Sequence, residues 1–227
     1  MEYVEVARAS SPRGELVLRE RHDAAPGTDG IGVLELRVNG AFVMDTLETG
    51  SEQRLATAAL AQVEEPRSVL VAGLGLGFTA RAVLTDPRVE RLVVVEIEEA
   101  LVGWMRDGTV PHGPAFLADG RLSVVTADIL VAVAEATPAS YDLVLLDVDN
   151  GPGCLVHPAN EAVYRAEFLS AVAEMLRPGG VVAVWSAASS PVLADELTSV
   201  FGAETSIPFD VRLQDRDECY WLYLARR

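Results

Sequence analysis

From residue 68 onward, short runs of consecutive apolar residues alternate with longer stretches in which apolar positions recur every three or four residues. Residues 68–72, 92–96, 122–126, 143–147 and 181–186 are such runs. They read as strands of a parallel sheet buried on both faces, because a strand covered on one side only would alternate polar and apolar positions. The stretches between them read as helices. Beyond them lie a helix near 192–201, a short β-prone run at 204–209 and an aromatic strand near 219–225. The pattern predicts an α/β, Rossmann-like fold: a seven-strand, mostly parallel sheet with helices on both faces and its last strand antiparallel.

The first fifty residues differ. Three β-prone runs, 15–21, 32–38 and 41–45, are separated by polar breakers. Asn39-Gly40 stands between the last two, and a type I′ turn needs positive φ at both central positions, so the dipeptide predicts a hairpin. Residues 23–30, rich in Gly, Ala, Asp and Pro, read as a loop. Ser51 is placed to cap a helix over 52–62, closed by Pro66. The chain divides on this reading into a small antiparallel β region, 1–50, and a nucleoside-binding catalytic domain, 51–227.

A chain of 227 residues buries roughly 70 % of its unfolded surface and needs no disulfide or metal staple. Its net charge of −16 argues against nucleic acid or an anionic membrane as partner. All 18 basic residues are arginine, which excludes Schiff-base enzymes, lysine-dependent phosphate loops and Ser-Lys dyads. Cys154 and Cys219 have neither CxxC nor zinc spacing, and no histidine pair has ligand spacing, so no metal is expected. Without an apolar stretch of about 20 residues or a basic-apolar leader, a cytoplasmic protein is expected.

Candidate chemistry gathers at the strand ends. The first strand runs into Gly73-Leu74-Gly75-Leu76-Gly77, which lets backbone approach a nucleotide at a helix N-terminus, although the same glycines can serve tight packing alone. Phe78 stands where a dinucleotide motif needs Gly or Ala, which favours a nucleoside without pyrophosphate and disfavours a nicotinamide oxidoreductase. Three strands end in or just before a carboxylate: Glu96, Asp128 and Asp147. In an open α/β sheet these converge on one crevice. Glu96 suits a ribose diol and Asp128 an adenine amino group, the alternative for Asp128 being a helix cap. The loop Asp147-Val148-Asp149-Asn150-Gly151-Pro152-Gly153 places carboxylates where they could steady a sulfonium or take a proton from an amine, or it is an Asx-turn. His157 is a candidate proton shuttle in the same loop, and Trp185 a wall of the pocket or part of the core.

These residues resemble the class I S-adenosylmethionine-dependent methyltransferase superfamily, and within it the spermidine synthase-like branch. The likeness rests on the 38–40 hairpin turn, Val69 through Gly75, Val95-Glu96-Ile97-Glu98, Asp119-Gly120-Arg121-Leu122, Asp128, Tyr141 through Asp147, and Leu176-Arg177-Pro178-Gly179-Gly180. It implies S-adenosylmethionine or its decarboxylated form as donor substrate. The donor would be held by Gly73, Leu74, Gly75, Gly77, Glu96, Ile97, Asp128, Ile129 and Asp147, with Asp147 and Asp149 as catalytic acids. A small-molecule acceptor, an amine among the candidates, and a homodimer are also implied.

The departures from the family pattern bear on the transferred group. Leu76 stands where aminopropyltransferases carry a loop acid and Phe78 where they carry a glycine. The tyrosine and glutamate that precede the first strand in the family are replaced by Glu52 and Arg54 or their neighbours. These losses lead to the expectation of methyl transfer to a small molecule. Polyamine aminopropyl transfer and a non-catalytic nucleoside-binding protein are the alternatives.

Overall fold

The computed structural model describes residues 2–22, 32–213 and 216–227. Its first element is a four-stranded antiparallel sheet in chain order: β1 (Glu2–Ser11), β2 (Gly14–His22), β3 (Val33–Val38) and β4 (Ala41–Asp45). The sequence reading found the last three strands and missed β1, whose described side chains are exposed or only half-buried and which meets the core with the small side chains of Ala7 and Ala9. Asn39 and Gly40 have φ of 50° and 77°, the positive pair that the hairpin reading requires. The loop expected at 23–30 lies outside the described residues.

The α/β part follows as α1 (Gly50–Leu60), β5 (Ser68–Ala72), α2 (Phe78–Leu84), β6 (Arg91–Glu96), α3 (Glu99–Asp107), α4 (Gly113–Leu117), β7 (Leu122–Thr126), α5 (Ile129–Ala134) and β8 (Tyr141–Leu146). After a 3-10 segment, Pro158–Tyr164, come α6 (Ala166–Met175), β9 (Leu176–Ser186), α7 (Pro191–Phe201), β10 (Glu204–Leu213) and β11 (Arg216–Arg226). The seven-stranded sheet has the order β10-β11-β9-β8-β5-β6-β7. β11 is antiparallel to both neighbours, and the strands from β9 to β7 are parallel. This is the α/β sheet that the apolar runs predicted, except that β7, at the edge of the sheet, is half-buried or exposed and not buried on both faces.

Alternation of side chains along each strand sends them to two cores. Val69, Val71, Leu143 and Leu145 face one cluster, and Leu70, Ala72, Val144 and Leu146 the other. The first cluster also contains Leu16, Leu18, Leu34 and Leu36, so the N-terminal sheet shares a core with the larger one. Each such leucine contributes about 1.5–3 kcal/mol on burial.

Two local expectations are corrected. α1 begins at Gly50 with Thr49 at its N-cap position, and the buried Ser51 hydroxyl donates to the Glu52 carboxylate at 2.7 Å instead of capping. β9 starts at Leu176, paired with Tyr141, and so is longer than the 181–186 run by which it was expected. Among the described residues, no helix is long and apolar enough to cross a membrane.

Candidate active site

β5, β6 and β8 end side by side at the carboxyl edge of the sheet, where a cavity of about 470 Å³ opens. Its floor is a close backbone crossing. Gly73, at φ 93°, lies where an added Cβ would stand 2.2 Å from the Asp147 carbonyl oxygen, so only glycine lets the ends of β5 and β8 meet. Gly73, Leu74 and Gly75 line the cavity. Gly77 does not line it; at φ 85° it is the N-cap of α2 and faces Met105 and Phe116.

Glu96 leaves β6 buried, with its two oxygens accepting from the Leu74 and Glu98 peptide N–H groups, each at 2.8 Å. Burial pushes its pKa up, with the two amides opposing. Glu96 also lines the cavity, and a carboxylate there can accept from a diol. Asp128 also lines the cavity, and its Oδ1 accepts from Leu130 N–H at 2.9 Å as the N-cap of α5. The helix-cap reading made for it from sequence is met, and the same residue faces the cavity. Ile97 and Ile129 complete this end. The arrangement fits the nucleoside part of an adenosyl donor.

Across the cavity stands Asp147, half-buried and accepting from the Thr79 hydroxyl. Burial raises its pKa from 3.8 to about 6, the Thr79 bond acting against the rise. Glu52, on α1, lines the same cavity, and its pKa is raised from 4.5 to about 7, first by burial and then by the negative charge of Asp147. Trp185 and Tyr220 meet edge to face at 5.0 Å and form an aromatic wall. Tyr220 is pushed up to about 12 by burial and by Glu218, Glu52 and Glu48. Trp185 is at once wall and core.

Asp149 lines the cavity too, but its carboxylate is engaged elsewhere. It accepts from the N–H groups of Asn150 (2.8 Å), Val156 (2.6 Å) and His157 (3.3 Å) and from Asn160 Nδ2 (2.7 Å). Asp149 therefore organises the 148–160 loop around itself, the Asx-type role foreseen as the alternative. His157 Nδ1 accepts from Ala159 N–H at the head of the 3-10 segment. Tyr164 donates its hydroxyl to the Val148 carbonyl. Leu76 is fully buried with its N–H toward Met44 Sδ and its carbonyl against His112 Nε2, and it does not line the cavity.

Sequence reasoning did not single out Arg13, Glu48, Thr79, Glu218 or Tyr220, all of which line the cavity. For Glu218 and Tyr220 a signal existed, since alternate positions on a strand share a face. For Arg13, in the β1–β2 turn, no local pattern distinguishes it. Among the described residues no cluster of side chains is arranged to hold a metal ion.

Residues 48–205 match the family model described as spermine/spermidine synthase domain. Polyamine aminopropyltransferase 2 of Pseudomonas aeruginosa is 36 % identical over 134 residues, covering 57 % of this chain and 36 % of the relative. Putrescine N-methyltransferase 3 of Nicotiana tabacum is 34 % identical over 123 residues, covering 54 % of this chain and 31 % of the relative. The matched stretch thus spans about a third of the length of these curated relatives. A spermidine synthase solved with the transition-state analogue AdoDATO superposes with a TM-score of 0.83 over 98 % of this chain and 73 % of that one, at 16 % identity, a likeness of fold.

Proposed function

Because the chain belongs to the spermine/spermidine synthase family, we propose that it transfers an aminopropyl group from a decarboxylated adenosyl-sulfonium donor to a cationic amine. The observation that carries this is the pair of carboxylates, half-buried Asp147 and buried Glu52, facing the cavity that also holds Gly73 and Glu96. Glu96 takes the ribose diol and the 73–75 backbone lies beneath the sugar and sulfur. Two carboxylates raised to about 6 and about 7 by burial are both ionised in mildly alkaline solution, where they favour a cation over any neutral acceptor.

An amine attacks only as the free base. Asp147 accepts the ammonium proton, and the nitrogen lone pair then forms a bond to the carbon beside sulfur as the C–S electron pair returns to sulfur. The sulfur leaves as a neutral thioether. Such a displacement needs alignment and exclusion of water more than any further chemistry, and the largely apolar cavity wall supplies both.

The family match and the aminopropyltransferase relatives support this reading over the methyl transfer expected from sequence. One observation favours methyl transfer as the second reading: the buried Leu76 leaves the donor's amino end without a loop acid. Incubation with either donor and putrescine, followed by mass spectrometry, separates the two. Spermidine from the decarboxylated donor supports the proposal, N-methylputrescine from S-adenosylmethionine replaces it with the second reading, and donor binding without any product leaves the nucleoside-binding protein. The proposed assembly is a homodimer, to be checked by gel filtration at two concentrations.

A further inference from the structure

Arg13 and Asn160 are 147 residues apart in the chain, yet the Arg13 guanidinium donates to Asn160 Oδ1. The other end of the same amide, Nδ2, donates to Asp149 Oδ2 at 2.7 Å. The amide thus lies between a cation and an anion with its dipole aligned to both. Turned over, it would set oxygen against carboxylate and NH2 against guanidinium, so the two charges fix its orientation. Asp149, so held, gathers the Val156 and His157 amides and closes the loop that follows Asp147.

The turn presenting Arg13 is itself braced. Asn39 Nδ2 donates to the Arg13 carbonyl at 3.1 Å, and Asn39 Oδ1 accepts from Glu15 N–H at 2.9 Å. Gly14 admits this side chain because any Cβ there would lie 1.7 Å from Asn39 Oδ1. Ser11 Oγ fastens the turn to Glu98 at 3.1 Å, two residues beyond Glu96. The β1–β2 turn therefore touches the donor end through Ser11 and the acceptor loop through Arg13.

We infer that Arg13 is a positioning residue: through Asn160 it holds Asp149, and with it the 148–160 loop, over the acceptor end of the cavity. The N-terminal sheet is on this view a working part of the site. The inference adds to the proposed function a determinant of acceptor affinity, and it is tested first by a measurement that needs no turnover.

Hydrogen exchange of the Val156 and His157 amides is measured in the ligand-free full chain for the parent, Arg13→Ala, Asn160→Ala and the double variant. Protection at both amides is expected to fall about tenfold in each single variant and no further in the double, because the residues act in series. Asn160→Asp, which sets a second carboxylate against Asp149, should lose at least as much, and Arg13→Lys should recover part of the loss. Unchanged protection in Arg13→Ala overturns the inference, and so do losses that multiply in the double variant.

In the active protein, both single variants should raise acceptor KM about tenfold while donor Kd stays within twofold. A donor Kd weakened by Arg13→Ala but not by Asn160→Ala would mean direct ligand contact and also overturns it. Lack of aminopropyl transfer in the parent, with the exchange pattern intact, would count against the proposed function alone.

Discussion

Replacing Leu76 with aspartate would restore the acid that the glycine loop lacks, and the structure predicts that it fails as a repair. Leu76 is 0 % exposed and belongs to the core shared by the loop and the N-terminal sheet. Removing a buried leucine side chain costs about 2–5 kcal/mol, which Leu76→Ala measures alone. Leu76→Asp adds a buried carboxyl whose pKa must rise well above its unfolded value of about 3.9. A group with a raised folded pKa gives stability that is present below the unfolded pKa and lost as pH increases toward the folded one. The gap between the two variants should therefore be small near pH 4 and widen by about 1.4 kcal/mol per pH unit above it. Over three units this is about 4 kcal/mol, or a melting difference of about 10 °C at ~2–4 °C per kcal/mol for a chain of this size. Using the difference cancels the pH response of Glu52, Glu96 and Asp147, common to both. Scanning calorimetry at pH 4, 5.5 and 7 makes the measurement. Coincident melting of the two variants at all three pH values would refute the reasoning, since it would put the carboxylate in water or in the cavity.

Three further outcomes follow from the site. Asp147→Asn should lower kcat about a hundredfold while donor Kd, by calorimetry, changes less than threefold, and equal losses would remove Asp147 as the base. Acceptor kcat/KM should rise with pH through about 6 to 7 as Asp147 and Glu52 ionise. Glu52→Gln, which deletes one of two facing charges, should remove the upper part of that rise and increase the melting temperature at pH 8. Gly73→Ala, whose Cβ would press on the Asp147 carbonyl, should abolish donor binding, seen as loss of any thermal shift by the donor.

The central strands were legible because β5, β6, β8 and the later part of β9 are continuous apolar runs buried on both faces, a pattern that local composition alone records. β1 was not, since an edge strand that exposes Tyr3, Val4 and Val6 and meets the core only through the small Ala7 and Ala9 writes no apolar periodicity. Ser51 was misread because a serine before a helix looks the same whether its hydroxyl meets a free N–H or a neighbouring glutamate. In the site, Glu96, Asp128 and Asp147 could be placed from strand ends because topology brings strand ends together. Arg13 could not: its position depends on a contact spanning most of the chain, and no window of sequence contains it. The role of Asp149 likewise depended on four donors, one of them the side chain of Asn160.

The facing of Glu52 and Asp147 also has a thermodynamic side. Two carboxylates held in a poorly solvated cavity repel one another in the empty protein whenever both are ionised, and the fold supplies the energy that keeps them there. A bound cation relieves that strain. The resting protein is thus less stable in alkaline solution than its remaining contacts would make it, and the ligand acts as a missing piece of its core. Stability and recognition are opposed at these two positions, and a variant selected for heat resistance alone would be expected to lose one of the two acids first.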